Sequence, residues 1–114
     1  PGFQWIAQAS KLEKKIASAD FIITGEGQLD HQSFSGKVVG EIINLASKHN
    51  KPIIVLIGKL DKGWDTYLSK NNVFIFPISA GEFSKEELLK NTPVNLMRTS
   101  EQIAKLIYYN RKQK

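Results

Sequence analysis

A chain of 114 residues with no cysteine is one domain or part of one, and the missing thiols exclude a disulfide framework and a thiolate zinc site. Hydrophobic content of 41% and charged content of 24% are ordinary for a globular domain and exclude a disordered segment. The formal charge of +5 is no sign of nucleic acid, because the lysines are interleaved with Glu and Asp, whereas a binding face needs a basic stripe.

The longest apolar run, Ile53 to Ile57, is too short to span a bilayer, and no signal sequence opens the chain. The expectation is a cytoplasmic protein that binds neither membrane nor nucleic acid. The opening Pro1-Gly2, with no initiator methionine, suggests a piece of a longer polypeptide.

Phe3, Ile6, Ala9, Leu12 and Ile16 recur at helical spacing, which predicts an amphipathic helix ending near Ser18-Ala19-Asp20. Phe21-Ile22-Ile23-Thr24 has no polar alternation, as expected of a parallel strand covered on both faces; Gly25 is expected to end it. Val38, Val39, Ile42, Ile43, Leu45 and Ala46 predict a second helix from Lys37 to about His49, stopped by Asn50-Lys51-Pro52 because proline cannot continue a helix.

Ile53 to Ile57, β-branched and closed by Gly58, predicts the central strand. Gly63 to Lys70 predicts a short helix, and Val73 to Phe76, ended by Pro77, a third strand. Ser84-Lys85-Glu86-Glu87 has capping-box spacing and predicts a short helix to Lys90. Thr92-Pro93 reads as a new N-cap and first helical residue, opening a closing helix to about Asn110. Alternating elements of this kind give an α/β fold, a three-layer Rossmann-like parallel sheet. Three strands with apolar faces want more neighbours than this chain supplies.

Between the first strand and the second helix lies Gly25-Glu26-Gly27-Gln28-Leu29-Asp30-His31-Gln32-Ser33-Phe34-Ser35-Gly36-Lys37. A loop at the carboxyl end of a strand is where open α/β sheets hold ligands. It begins like a dinucleotide fingerprint, but Asp30 occupies the third glycine position. It ends like a P-loop, but His31 replaces the required glycine and Val38 the Ser or Thr.

Charge agrees with both failures, since Glu26 and Asp30 repel a phosphate held directly against them. Carboxylates in a glycine-rich turn suit Mg²⁺ binding, hydrogen bonding to a substrate hydroxyl, or removal of its proton. Ser33, Ser35, the Gly36 backbone and Lys37 at a helix start suit an anion. That division fits phosphate transfer from a Mg-nucleotide to an alcohol. The bland alternative is that Asp30 forms a turn and Ser35 caps a helix.

Lys59 and Asp61, after the second strand, and Ser79-Ala80-Gly81, after the third, are further candidates for the same crevice. His31 reads more simply as a solvated loop residue. His49, at a helix C-terminus, reads as structural.

The run from Ala19 to Leu60 resembles the C-terminal signature of the bacterial glycerate kinases. The matching residues are Ala19, Asp20, Thr24 to Gly27, Asp30, Gln32, Ser33, Gly36, Lys37, Gly40, Ala46, Pro52 and Gly58. Gln28 stands where the family often has arginine.

The resemblance implies an ATP-dependent, Mg²⁺-requiring kinase that phosphorylates glycerate, built as a two-domain α/β protein much longer than this chain. Residues 1–114 are then the C-terminal segment of its Rossmann-like domain, inactive alone and prone to self-association, with the remainder of the kinase as its partner. The loop's chemistry, supported by the match, puts Asp30 and Glu26 in the catalytic role, with Asp30 near the reacting hydroxyl or the Mg²⁺. Gly25, Gly27, Gln32, Ser33, Gly36 and Lys37 are implied at substrate or phosphate. The alternative is a non-catalytic Rossmann-like module that binds a nucleotide or an anion, expected to be a monomer with a closed, polar sheet edge.

Overall fold

A computed structural model describes residues 11–29, 38–60, 62–79, 81 and 84–112. A helix over 11–18 (α1) is followed by β1 (Ile22–Leu29), α2 (Val38–Lys48), β2 (Ile53–Leu60), a 3-10 helix (Trp64–Ser69), β3 (Val73–Pro77) and α3 (Lys85–Lys112). The three strands form one sheet in the order β1-β2-β3, and both pairings are parallel. The expected α/β fold and its central strand are therefore observed.

Alternation along β2 sends its side chains to opposite faces. Ile53, Val55 and Ile57 are buried with Val39, Ile43 and Ala46 of α2, Tyr67 of the 3-10 helix and Val73. Ile54 and Leu56 pack on the other face with Ile78 and with Ile103 of α3. Helices thus cover β2 on both sides, giving three layers. Each fully buried aliphatic side chain contributes roughly 1.5–3 kcal/mol.

The connection from α2 to β2 follows from local chemistry. Asn50 takes a left-handed φ of 59°, which Asn tolerates better than most residues. Its N–H bonds the Ser47 carbonyl at 3.1 Å, and the Lys51 N–H bonds the Ala46 carbonyl at 2.8 Å, the pair that defines a Schellman cap. Pro52 then starts the extended run into β2.

Two boundaries differ from expectation. Gly25 and Gly58 do not end their strands. Glu26 pairs with Ile57, and pairing resumes beyond Gly27 and Gly58 with Gln28↔Lys59 and Leu29↔Leu60. Ladder hydrogen bonds between two parallel neighbours carry the chain through residues of low strand propensity.

The second difference is at Pro93, which starts no new helix and lies inside a continuous 28-residue α3. Proline removes the bond that N93 would give the Leu89 carbonyl. The Thr92 hydroxyl, expected to cap a new helix, instead bonds back to the Leu88 carbonyl at 2.5 Å. Ser84 does cap α3, accepting from the Glu87 N–H at 3.1 Å. Among the described residues no helix is long and apolar enough to cross a membrane.

Candidate functional site

The carboxyl ends of β1 and β2 and the first half of α3 enclose a cleft of about 400 Å³, lined by Gly25, Glu26, Leu56, Gly58, Ile78, Lys85 and Leu89 among others. Of the sequence-named site residues, Gly25 and Glu26 meet here. Gly27 continues β1. Asp30, Gln32, Ser33, Gly36 and Lys37 lie outside the described residues, as do His31, Ser35 and Asp61.

The ladder nonetheless constrains how the chain enters the undescribed segments. Gln28 lies opposite Lys59 and Leu29 opposite Leu60, and parallel neighbours sit about 4.8 Å apart. Leu29 and Leu60, the residues before Asp30 and Asp61 in the sequence, therefore sit side by side on adjacent strands.

Glu26 is half-buried and borders this cleft, but its register opposite Ile57 turns its side chain to the face that α2 covers, away from the α3 face on which Leu56 and Ile78 line the cleft. The last turn of α2 lies near the starts of β2 and β3, because Ser47 bonds Asn72 and Asn72 bonds the Ile53 N–H. The amino end of α2 therefore lies toward the carboxyl ends of the strands. Helix N-termini favour negative charge, so a carboxylate or a bound anion suits that end of the sheet.

Gly25 forms part of the cleft floor. Among the described residues a Cβ on it would meet nothing nearer than the Leu56 carbonyl oxygen at 3.8 Å, an ordinary contact distance. Packing does not demand glycine there, and the missing side chain leaves the floor open.

Lys85, which sequence reasoning treated only as part of a capping box, is the cation among the described residues that line this cleft. The signal that could have found it was its place at a helix start soon after the third strand's carboxyl end. Ser79 is exposed, and Gly81 has a left-handed φ of 91°.

His49 is structural, as expected. It lies at the opposite end of the sheet, where its Nε2 is 3.0 Å from Glu13 Oε1, with Lys48 Nζ at 2.8 Å from the same oxygen. The hydrogen bond from Lys48, then that from His49, holds the Glu13 carboxyl below its ordinary value of 4.5. Among the described residues no group of three or more His, Cys, Asp or Glu gathers to hold a metal.

Comparison with known proteins adds the family. Residues 1–108 match the model of the "Glycerate kinase family". A glycerate kinase of Haemophilus influenzae is 30% identical over 95% of this chain and 29% of its own length. A glycerate 2-kinase of Escherichia coli is 30% identical over 90% of this chain and 27% of its own length. A crystal structure described as a glycerate kinase 2 from Salmonella typhimurium LT2 superposes with a TM-score of 0.59 at 30% identity, covering 99% of this chain and 27% of that one. The chain thus spans less than a third of the length of these relatives.

Proposed function

Because the chain belongs to the glycerate kinase family, we propose that it is the C-terminal segment of a Rossmann-like domain that phosphorylates glycerate with ATP and Mg²⁺, contributing part of the active site and inactive alone. The observation that supports the reading is the position of Gly25-Glu26-Gly27 in the carboxyl-terminal part of β1, level with Ile57↔Pro77, where the three-stranded part of the sheet ends, the side on which doubly wound folds bind ligands.

In this reading the substrate hydroxyl oxygen bonds to the γ-phosphorus as the bond from that phosphorus to the bridging oxygen breaks, and ADP leaves. Asp30 accepts the hydroxyl proton, and Glu26 accepts a hydrogen bond that orients the alcohol. Ser33, the Gly36 backbone and Lys37 hold phosphate, with Gly25, Gly27 and Gln32 shaping the substrate side. Mg²⁺ sites commonly use one or two carboxylates plus substrate phosphates. A half-buried Glu26 at the strand end fits that donor chemistry, with Asp30 as the second ligand. Bound there, Mg²⁺ neutralises charge on the transferred phosphoryl group.

The uncovered apolar side chains support a segment of a larger domain over a self-sufficient binding module. Phe74 is 47% exposed and Phe76 38% exposed on β3, whereas a free-standing module is expected to present a closed, polar edge. The test is Asp30→Ala in the longer polypeptide, assayed for glycerate-dependent ADP formation. Turnover should fall about 10²–10⁴-fold with little change in melting temperature. Wild-type turnover in that variant removes Asp30 from the chemistry.

A further inference from the structure

Toward the carboxyl ends of β1 and β2 the sheet is bare on one face. Strand side chains alternate between faces. Leu56 lies on the α3 face, so its partner Gly25 does too. Gly27, two residues on in β1, and Gly58, two residues beyond Leu56 in β2, follow on the same face. Glycines thus occupy successive rungs of this face on two neighbouring strands. Packing does not demand one at position 25, where among the described residues a Cβ would meet only the Leu56 carbonyl oxygen, at 3.8 Å. Glycine inside a strand weakens it and marks a place where another backbone or a ligand comes close.

This floor belongs to the cleft of about 400 Å³, a volume inside the range of about 300–1,000 Å³ usual for small-molecule sites. Leu56, Ile78, Leu89 and Leu96 form its apolar lining. Leu89 is 69% exposed and Leu96 40%, so the wall still has apolar surface to offer. Polar side chains on the cleft are few. The Thr92 hydroxyl is engaged by the Leu88 carbonyl, and Glu26 turns to the other face. Lys85, exposed at the start of α3, is followed at once by Glu86 and Glu87.

Such a surface discriminates among the parts of the substrates of a sugar-acid kinase. Glycerate carries a polar group on every carbon, and against leucine those groups lose their hydrogen bonds to water without replacement. A polyphosphate needs several donors or cations, and the first turn of α3 sets two carboxylates beside its one lysine. A purine base is flat, uncharged and apolar over both faces. One face can lie on backbone from which no side chain rises, and the other can meet the leucines of α3.

From these observations we infer that the glycine floor and the wall of Leu89 and Leu96 seat the base of the nucleotide substrate, with Gly25 and Gly58 setting how closely it approaches the sheet. The inference rests on the kinase reading above and deepens it. The substrate that these glycines face is the nucleotide, and glycerate is left to Glu26 and the segment that begins at Asp30.

Two variants of the longer polypeptide test the assignment. Gly25→Val raises a branched side chain from the floor, and Leu89→Ser strips an exposed position of the wall without touching the core. Titration calorimetry compares ADP with tripolyphosphate, which lacks the base. ADP should bind roughly tenfold or more weakly in Gly25→Val and about threefold or more weakly in Leu89→Ser. Tripolyphosphate should bind alike in all three proteins, and KM should rise for ATP and hold for glycerate. Parental ADP affinity in both variants overturns the inference. A parallel loss of tripolyphosphate affinity also overturns it, because phosphate then occupies the cleft, as does a rise in KM for glycerate alone. Should Gly25→Val fail to fold, Leu89→Ser decides. Glycerate phosphorylation by the parent is scored separately. Turnover with unchanged ADP affinity in the variants removes only the base seat, whereas base-dependent binding without turnover removes the proposed reaction and keeps the seat. A parent that binds no ADP overturns both.

Discussion

The side-chain amide of Asn72 donates to the Ser47 hydroxyl at 3.1 Å, tying the residue that precedes β3 to the last turn of α2. The same amide donates to the Lys51 carbonyl at 3.0 Å, and the Asn72 carbonyl accepts from the Ile53 N–H at 2.8 Å. One residue thus joins a helix end, its connector and the central strand. Asn72→Ala removes the amide and leaves the Lys51 carbonyl and the Ser47 hydroxyl short of a partner in a half-buried setting. It should lower stability by about 1–3 kcal/mol, read as a fall in the urea midpoint at unchanged m-value.

Pro93 supplies the opposite case. It lies well inside α3 and denies the Leu89 carbonyl its bond. An interior proline costs about 3 kcal/mol, partly offset because it also restricts the unfolded chain. Pro93→Ala should therefore raise stability by about 1–2 kcal/mol in thermal or urea unfolding. A loss of stability would mean that the proline's geometry sets the path of α3 across the sheet.

Gly25→Ala separates fold from function. Among the described residues the added methyl meets the Leu56 carbonyl oxygen at 3.8 Å, and replacing glycine where the backbone permits stabilises by about 0.4–1 kcal/mol. The melting temperature should hold or rise. In the longer polypeptide, glycerate phosphorylation should nonetheless fall, because the methyl fills part of the cleft floor. Undiminished turnover would show that substrate does not approach Gly25.

Acid should loosen the contact between α1 and α2. The Glu13 carboxyl is held below 4.5 by Lys48 and His49, so folded Glu13 binds its proton less readily than unfolded Glu13 does. Its contribution is present above the unfolded value and is lost as pH falls through the depressed folded value. Stability measured from pH 6 down to pH 3 (roughly the carboxylate range) should fall less steeply in Glu13→Gln than in the parent chain. Parallel curves would remove the linkage.

Much of the fold was legible because its signals are local and redundant. Ile53 to Ile57 is apolar throughout and is buried on both faces, and Asn50-Lys51-Pro52 stops α2 through a cap that asparagine tolerates. The misread boundaries all lie where tertiary partners override local preference. Gly25 and Gly58 look like strand ends until the ladder between β1 and β2 is seen to continue to Leu29 and Leu60. Pro93 looks like a helix start until α3 is seen to pack as one piece, with Ile103 beneath it. The glycine-rich motif was legible, and Gly25 and Glu26 line a cleft, although both lie within β1 and not at its end. Lys85 was not, because nothing in a capping sequence tells which cleft the helix start will border.

The overhang of β1 and β2 has a dynamic consequence. Among the described residues β3 pairs with β2 only as far as Ile57↔Pro77, so the ladder of Gly58 to Leu60 runs to β1, while Ile53 to Ile57 are paired on both sides. A ribbon of two strands standing clear of its sheet is only marginally stable by itself. It can part from the core while the core stays shut, because opening energies differ along one structure. The last rungs of β1, up to Leu29, are therefore expected to open more readily than the rungs backed by all three strands.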